Sequence, residues 1–169
     1  QEKMRAGLAD QTVASQALLE TEVLDLDPLL AGTLDEGLTA GQRVAVVDAL
    51  GYAVEPGAVE RLRELVLSDR LRSNEIEDLL LGQAGLPETR SANWTWVRDH
   101  FQRLVDVMPA GHAGELPGLA KGFCSEQRAE EVAAFFEPRI DELQGGPRNL
   151  AQALEAIRIC AAVAEQQRA

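Results

Sequence analysis

Aromatic residues are scarce in this sequence: the 169 residues include two Trp, one Tyr and four Phe, which is 4% of the chain. Runs of β-branched residues are also few, whereas Ala and Leu recur throughout an apolar fraction of 46%. Ala and Leu favour helices, while aromatic and β-branched residues favour strands. The composition therefore weighs against a sheet, and we predict an all-α fold.

Long apolar runs and basic clusters are missing as well. No apolar segment approaches the roughly 20 residues that a membrane-spanning helix needs, and residues 1–11 lack the apolar core of a signal peptide. The 28 acidic residues outnumber the 16 Lys and Arg, and the formal net charge is -12. Nucleic-acid binding needs a basic face, and an anionic membrane would repel this chain. We predict neither partner, and the location, cytoplasmic or periplasmic, stays open.

The residue patterns of common catalytic and metal sites are absent. The two histidines, His100 and His112, are not part of an H-E-x-x-H sequence, the helical zinc motif. No serine elbow, glycine-rich phosphate loop or C-x-x-C pair occurs. The acidic residues are scattered over the outward faces of predicted helices, where solvated carboxylates are usual. We expect both histidines at the surface and predict no catalytic residue, metal site or cofactor within this chain.

Cysteine is limited to Cys124 and Cys160, which are far apart in sequence and lie among apolar neighbours. That setting is typical of reduced, buried thiols. A disulfide between them is the alternative. The residues favour the reduced state.

Residues 39–69 predict two helices joined by a tight turn. Thr39 and Gln42 have the spacing of a capping box, which marks a helix start. Pro56 suits the first turn of the second helix. We expect the first helix to be covered on all sides, because apolar residues occupy almost every side of it: Val44, Val46, Val47, Ala49, Leu50, Tyr52 and Val54. The second has one inward stripe: Val59, Leu62, Leu65 and Val66. Such pairs are the repeating unit of helical solenoids.

Further helices are predicted on both sides of this pair. Upstream, residues 11–31 predict one helix that ends near Leu24 and a short one that restarts near Pro28. Downstream, Asn74 and Glu77 repeat the capping-box spacing, and the inward stripe of that helix is Ile76, Leu79, Leu80 and Ala84.

A long helix is predicted from Pro87 to Met108. Trp94 and Trp96 are two residues apart and cannot share a face of it, so one belongs in the core and the other at the surface or an interface, although core packing is usual for both.

The C-terminal part predicts a short helix over residues 116–123 and two longer ones. Ser125 is expected to cap the first of these and Pro138 to end or bend it. The last helix is expected from about Arg148 to Gln166, with these core positions: Leu150, Leu154, Ile157, Ile159, Ala161 and Ala164.

The sequence Gly145-Gly146-Pro147-Arg148-Asn149 allows two interpretations. Free amides at a helix start bind anions, and Arg148 would add positive charge. Proline removes one of those amides, however, so a turn followed by a helix cap is favoured. In that case Arg148 is expected to bridge to a neighbouring carboxylate.

Four strings occur in the following order: LRSNE at 71–75, LPETRSANWTWVRDHFQRL at 86–104, LPGLAKGFCSEQRAEEVAAFFEPR at 116–139 and GGPRNLAQALEAIRICAA at 145–162. Together they resemble the C-terminal helical domain of zinc aminopeptidases of the aminopeptidase N and puromycin-sensitive aminopeptidase type. Their sequence is close to that of bacterial members. The likeness runs from about residue 38 to residue 162.

This resemblance implies a HEAT-like or armadillo-like right-handed superhelix of antiparallel helix pairs. It implies that residues 1–169 are a single helical-repeat domain, a C-terminal fragment of a larger chain that binds zinc elsewhere. Its expected partners are the catalytic domain of the same parent chain and peptide substrates, for which it forms the wall of the substrate chamber. The G-x-M-E-N and H-E-x-x-H signatures of the catalytic domain are missing, so the fragment alone is predicted to be inactive.

The resemblance also directs attention to arginines. Some family members hold the far end of the peptide with an arginine of this domain, and the candidates here are Arg72, Arg90 and Arg148. An alternative of a different class is a free-standing helical-repeat module that binds a protein or peptide.

Overall fold

The computed structural model describes residues 39–68 and 70–168. The two helices predicted within residues 11–31 lie outside the described residues. Within the described ranges the chain forms eight α-helices, two 3₁₀ helices and no strand. The all-α prediction is therefore confirmed, while the superhelical arrangement of the helices stays a prediction.

The helices are numbered here in chain order. They are α1 (Ala40–Gly51), α2 (Pro56–Val66), α3 (Ser73–Gly85), α4 (Pro87–Asp99), α5 (Phe101–Val107), α6 (Ala110–Ala113), α7 (Glu126–Phe136) and α8 (Gly146–Gln166). The 3₁₀ helices are Leu116–Ala120, between α6 and α7, and Glu137–Glu142, between α7 and α8.

The chain divides into two compact units between Gly82 and Gln83. Most of α3 belongs to the first unit, and its last turn belongs to the second. The prediction of a single helical-repeat domain over residues 1–169 stays a prediction.

Helix α1 begins as predicted. Thr39 accepts a hydrogen bond from the Gln42 backbone N–H, and the Gln42 side chain accepts one from the Thr39 N–H at 3.0 Å. Val47 and Leu50 are buried, but Val44 is 48% exposed. The helix ends at Gly51, before two further apolar residues that are also exposed, Tyr52 and Val54. The prediction that this helix is covered on all sides is therefore wrong for the described structure.

Two glycines allow α1 and α3 to approach closely within the first unit. A Cβ atom added to Gly82 would lie 2.7 Å from the Gly51 carbonyl oxygen and 2.8 Å from its Cα. Atoms at such distances overlap, so this crossing requires the absence of a side chain at Gly82. Both predicted stripes facing this region are buried: Val59, Leu62, Leu65 and Val66 of α2, and Ile76, Leu79, Leu80 and Ala84 of α3.

The capping box predicted at Asn74 and Glu77 is wrong, because the helix starts two residues earlier than those residues indicate. Helix α3 starts at Ser73, and the Ile76 N–H donates to the Arg72 carbonyl at 3.0 Å. It is Glu75 whose carboxylate reaches back to the Arg72 N–H, at 2.8 Å. An acceptor at the third helical position satisfies a free amide at the helix start, which is the role predicted for Glu77.

In the second unit, the helix predicted from Pro87 to Met108 is interrupted at His100. Pro87 does open α4, but His100 has φ -110° and ψ 13°, and α5 restarts at Phe101. The Trp96 carbonyl accepts from the His100 N–H at 3.0 Å and lies 2.9 Å from His100 Nδ1. Trp94 and Trp96 lie on the same helix, α4, and both are buried, at 2% and 9% exposure, so core packing applies to both.

The C-terminal helices follow their predicted signals closely. Ser125 caps α7 by accepting from the Arg128 N–H, and α7 ends two residues before Pro138. Helix α8 begins at Gly146, two residues earlier than predicted, after Gly145 in the left-handed region at φ 79°. Ile159 is 59% exposed and is not a core residue. It lies about 200° around the helix from buried Ile157, so the two cannot face the same side.

Candidate functional site

Three arginines are predicted from the sequence as candidates for binding the far end of a peptide. Arg72 and Arg148 are exposed, whereas Arg90 is half-buried. Arg72 belongs to the first unit, and its backbone N–H donates to Glu75. Arg148 lies in the first turn of α8, and among the described residues the predicted ion pair to a carboxylate is not formed. The predicted turn is present, with Gly145 in the left-handed region, but no side chain caps the start of α8; the Asn149 side chain donates to the Gly114 carbonyl at 2.9 Å.

The Arg90 guanidinium is occupied by the end of the preceding helix. Its Nε donates to the Ala84 carbonyl at 2.8 Å and its Nη2 to the Gly85 carbonyl at 2.8 Å. A Cβ on Gly122 would lie 2.5 Å from Arg90 Nε, so the backbone there lies directly against the guanidinium. The last carbonyls of a helix lack partners within the helix. Arg90 provides hydrogen-bond donors for these carbonyls and thus joins the end of α3 to α4.

A polar group with several partners in the described part of the second unit is the carboxylate of Glu131 on α7. It accepts from Trp94 Nε1 at 2.9 Å and from Arg128 Nη1 at 2.6 Å, and it forms an ion pair with Arg98 Nη1 at 2.9 Å. These four residues are called the Glu131 cluster below. Since Trp94 and Arg98 belong to α4, the carboxylate links α4 to α7.

Aromatic rings surround this cluster. Trp94 makes edge contacts with Phe123 and Phe135, at centroid distances of 6.3 Å and 5.5 Å. The Arg98 guanidinium lies 5.5 Å from the Trp94 ring centroid, and that of Arg128 lies 4.7 Å from the Phe123 centroid. Cations over ring faces and rings in edge contact are both attractive arrangements. The cluster is therefore a packed junction in which each charge already has partners.

The environment of Glu131 favours its charged form. Burial alone would raise the pKa of the carboxyl, but the hydrogen bonds from Trp94 and Arg128 and the positive charges of Arg128 and Arg98 outweigh it. The pKa of Glu131 therefore lies below its usual range. A carboxylate held in this way is a poor proton donor or acceptor near neutral pH.

The first unit contains a second, more deeply buried ion pair. Glu75 accepts from Arg43 Nε at 2.5 Å and from Nη2 at 2.7 Å, and the two side chains are 3% and 13% exposed. The hydrogen bond from Arg43 is the largest effect on the pKa of Glu75 and lowers it. Burial raises this pKa, and the hydrogen bond from the Arg72 N–H lowers it further. This bidentate pair connects the first turn of α1 to the first turn of α3.

The two cysteines form a disulfide, Cys124–Cys160, so the prediction of reduced, buried thiols is wrong. Cys160 is exposed and Cys124 is half-buried. The apolar neighbours in sequence misled the prediction, because on a helix adjacent residues point to different sides. The alternative named with it is the one observed.

Neither a metal centre nor a membrane-spanning helix is found in the described ranges. Residues 39–68 and 70–168 contain no group of three or more His, Cys, Asp or Glu side chains that could hold a metal ion. A zinc ion therefore does not fit these residues. The His100 ring stacks on the Trp96 ring at a centroid distance of 4.7 Å, and His112 lies in α6; both are partly exposed, as expected of surface side chains. None of the described helices is long and apolar enough to cross a bilayer.

Sequence reasoning missed both carboxylate junctions. Glu75 and Arg43 are 32 residues apart, so no local sequence pattern relates them. A partial signal did exist for Glu131, since Arg128 precedes it by three residues on one helix face. Nothing local indicates the Trp94 indole as its third neighbour.

The described part of the chain is all-α, and ion pairs join its helices at Glu75 and Glu131. A family model described as "ERAP1-like C-terminal domain" matches residues 12–159. The chain belongs to this family of ERAP1-like C-terminal domains.

A curated relative agrees with this membership. Aminopeptidase 2, mitochondrial, from Saccharomyces cerevisiae is 28% identical to this chain over 119 residues. The aligned region covers 69% of this chain and 12% of the yeast protein, so the chain spans only a small part of that relative. Both findings confirm the resemblance of the four sequence strings to the C-terminal domain of aminopeptidases.

Proposed function

We propose that this chain is the non-catalytic C-terminal domain of a zinc-dependent aminopeptidase, where it forms the wall of the chamber that receives peptide substrates. The observation that carries the proposal is the family match, which extends over residues 12–159. The similarity to part of a yeast aminopeptidase supports it. Zinc and the bond-breaking residues would belong to the catalytic domain of the parent chain.

The polar junctions support a structural role for the described residues. The Glu131 carboxylate has three donors around it, and Arg90 donates to two carbonyls of α3. A group whose hydrogen-bonding capacity is used within the fold holds helices together and is not available to substrate. These junctions hold together helices of the second unit of the proposed wall.

Substrate contact would fall to exposed groups instead. Arg72 and Arg148 are exposed and stay candidates for binding the carboxylate of a peptide's far end. Arg90 is the weakest of the three candidates, because binding a peptide would require it to release Ala84 and Gly85.

The native protein tests the proposal directly. An antibody raised against residues 39–168 is used to purify the native chain from its source cells, and its mass, zinc content and release of N-terminal amino acids from peptides are measured. We expect a chain several times larger than 18.3 kDa that carries zinc and hydrolyses such peptides. The isolated 169-residue chain is the control and is expected to be inactive.

The opposite result would identify the other class of protein. A native chain of about 18.3 kDa that lacks zinc and aminopeptidase activity would overturn the proposal. The free-standing helical-repeat binding module would then be the function to pursue.

A further inference from the structure

The disulfide lies at an accessible position between two helices of the second unit. Cys124 immediately precedes Ser125, the N-cap of α7, and Cys160 lies in the C-terminal part of α8. The two residues are 36 positions apart in sequence. Because Cys160 is exposed, a small thiol in solution can reach this bond, and exposed disulfides are the more readily reduced ones.

Other contacts hold the end of α8 only weakly. Upstream on this helix Leu150, Ala153 and Ile157 are buried, but among residues 158–168 only Ala161 is. Ile159 and Val163 are 59% and 47% exposed. Burial of apolar surface is the main source of helix docking energy, and an alanine supplies little of it.

Within residues 39–68 and 70–168, an ion pair at the surface also links this segment to α7. Arg158 Nε lies 3.0 Å from Glu126 Oε1, and the two side chains are 50% and 56% exposed. Exposed pairs of this kind contribute little because water and salt screen them. The covalent bond is therefore the strongest connection between residues 158–166 and the rest of the second unit.

We propose that Cys124–Cys160 is a redox switch for the end of α8: reduction releases residues 158–166 from α7, while the body of the second unit stays folded. The released segment would fray, because the last turns of a helix lack partners for their carbonyls and are marginal without tertiary contacts. Oxidation would restore the docked helix.

The reaction needs a dithiol or two monothiols as co-reactant. A thiolate of the reductant attacks one cysteine sulfur, the S–S bond breaks, and the other cysteine leaves as a thiolate that takes up a proton. The second thiol of the reductant then displaces the first cysteine. In sum, the protein gains two protons and two electrons as two Cys–SH groups, and the reductant becomes a disulfide.

Hydrogen exchange measured by mass spectrometry tests this proposal on the 169-residue chain. The oxidised protein and the protein reduced with dithiothreitol are labelled for times at which core peptides of the oxidised form stay protected. We expect peptides covering residues 158–166 to exchange at least ~10-fold faster after reduction. Peptides covering Leu104 and the buried residues of α7 are expected to stay protected in both forms.

The matched control is the double variant Cys124→Ser/Cys160→Ser, which is expected to resemble the reduced protein with and without dithiothreitol. Three results would overturn the proposal. Equal exchange at residues 158–166 in both forms would show that the disulfide does not hold this segment. Simultaneous loss of protection in the core would show a general destabilisation of the unit. Two titratable thiols per chain after treatment with oxidised glutathione would show that the bond does not form.

Discussion

At the scale of single residues, the strongest constraints are carboxylates that accept several donors at once. Glu75 binds Arg43 through two hydrogen bonds and also accepts the Arg72 N–H, although its side chain is only 3% exposed. Removing one partner of a buried pair leaves the other charge without compensation, which costs more than the pair itself contributes. The position is therefore sensitive to even an isosteric change.

Glu75→Gln is expected to lower the free energy of unfolding by about 3 kcal/mol at neutral pH. The pKa of Glu75 is lower in the native state than in the unfolded state. The Glu75 carboxylate therefore stabilises the fold at pH values above the ordinary carboxyl pKa, and this stabilisation is lost as the pH falls through the lower native pKa. The difference between wild type and variant should therefore shrink as the pH falls below the ordinary carboxyl pKa and then through the lower native pKa of Glu75. Urea unfolding followed by far-UV circular dichroism at several pH values measures it.

Glu64→Gln is the matched control for this experiment, because Glu64 is an exposed residue of α2 in the same unit. It should change stability by less than about 0.5 kcal/mol. Equal effects of the two substitutions would show that the buried pair has no special weight.

Glu131→Gln is expected to destabilise the second unit by about 1 kcal/mol, since Arg98 and Arg128 lose their shared counter-charge while Trp94 keeps an acceptor. The cluster is about a quarter exposed, which keeps the effect below that of Glu75. Both tryptophans belong to the second unit, so urea unfolding followed by Trp fluorescence reports on it.

Its control is the neighbouring substitution Glu130→Gln, which changes an exposed carboxylate of the same helix. A Glu130→Gln variant as unstable as Glu131→Gln would refute the importance of the cluster.

At the scale of helices, the sequence predicted those features whose signals are local. The Thr39–Gln42 capping box, the helix starts at Pro56 and Pro87, and the Ser125 cap all depend on residues within four positions of each other. Such signals act through the backbone of one turn and need no tertiary information. For that reason they were recoverable from the sequence.

Most of the missed features depend on contacts between distant segments. The end of α4 is an exception: the apolar pattern runs on past His100, although the ring contacts found there are with Trp96, only four residues away. The start of α3 at Ser73 is accompanied by the pairing of Glu75 with Arg43. The disulfide likewise joins segments 36 residues apart. Short-range patterns carry no information on such pairings.

Gly82→Ala tests the close crossing of α1 and α3. The new methyl group would overlap the Gly51 carbonyl, and overpacking of this kind costs about 1–3 kcal/mol, against a gain of about 1 kcal/mol from better helix propensity. We expect a net loss of up to about 2 kcal/mol, read from urea unfolding by far-UV circular dichroism.

Gly85→Ala in the same helix is the control, because a Cβ there meets no atom within 4 Å. This variant should be neutral or slightly more stable. If Gly82→Ala were equally harmless, the helices could separate at little cost, and the crossing would not depend on glycine.

At the scale of the whole molecule, the dominant property is the formal net charge of -12. An acidic domain beside a substrate chamber would attract peptides with positive charge and raise their local concentration. This effect rests on the proposed function, and it involves the summed charge and no particular side chain.

If the proposed parent is an aminopeptidase, we expect its kcat/KM for a Lys- and Arg-rich peptide to fall when NaCl is raised from about 0.05 M to about 0.5 M, because salt screens long-range attraction. A neutral peptide of the same length is the control and should show little change. A rate for the basic peptide that does not depend on salt would exclude electrostatic attraction by this domain.

Because the chain's two cysteines are bonded to each other, the oxidised protein has no thiol that a maleimide can alkylate. A cysteine introduced at an exposed position, for example Arg148→Cys, would be the single site for a fluorescent or spin label. The mobility of that label can then be followed in the 169-residue chain while the disulfide stays in place.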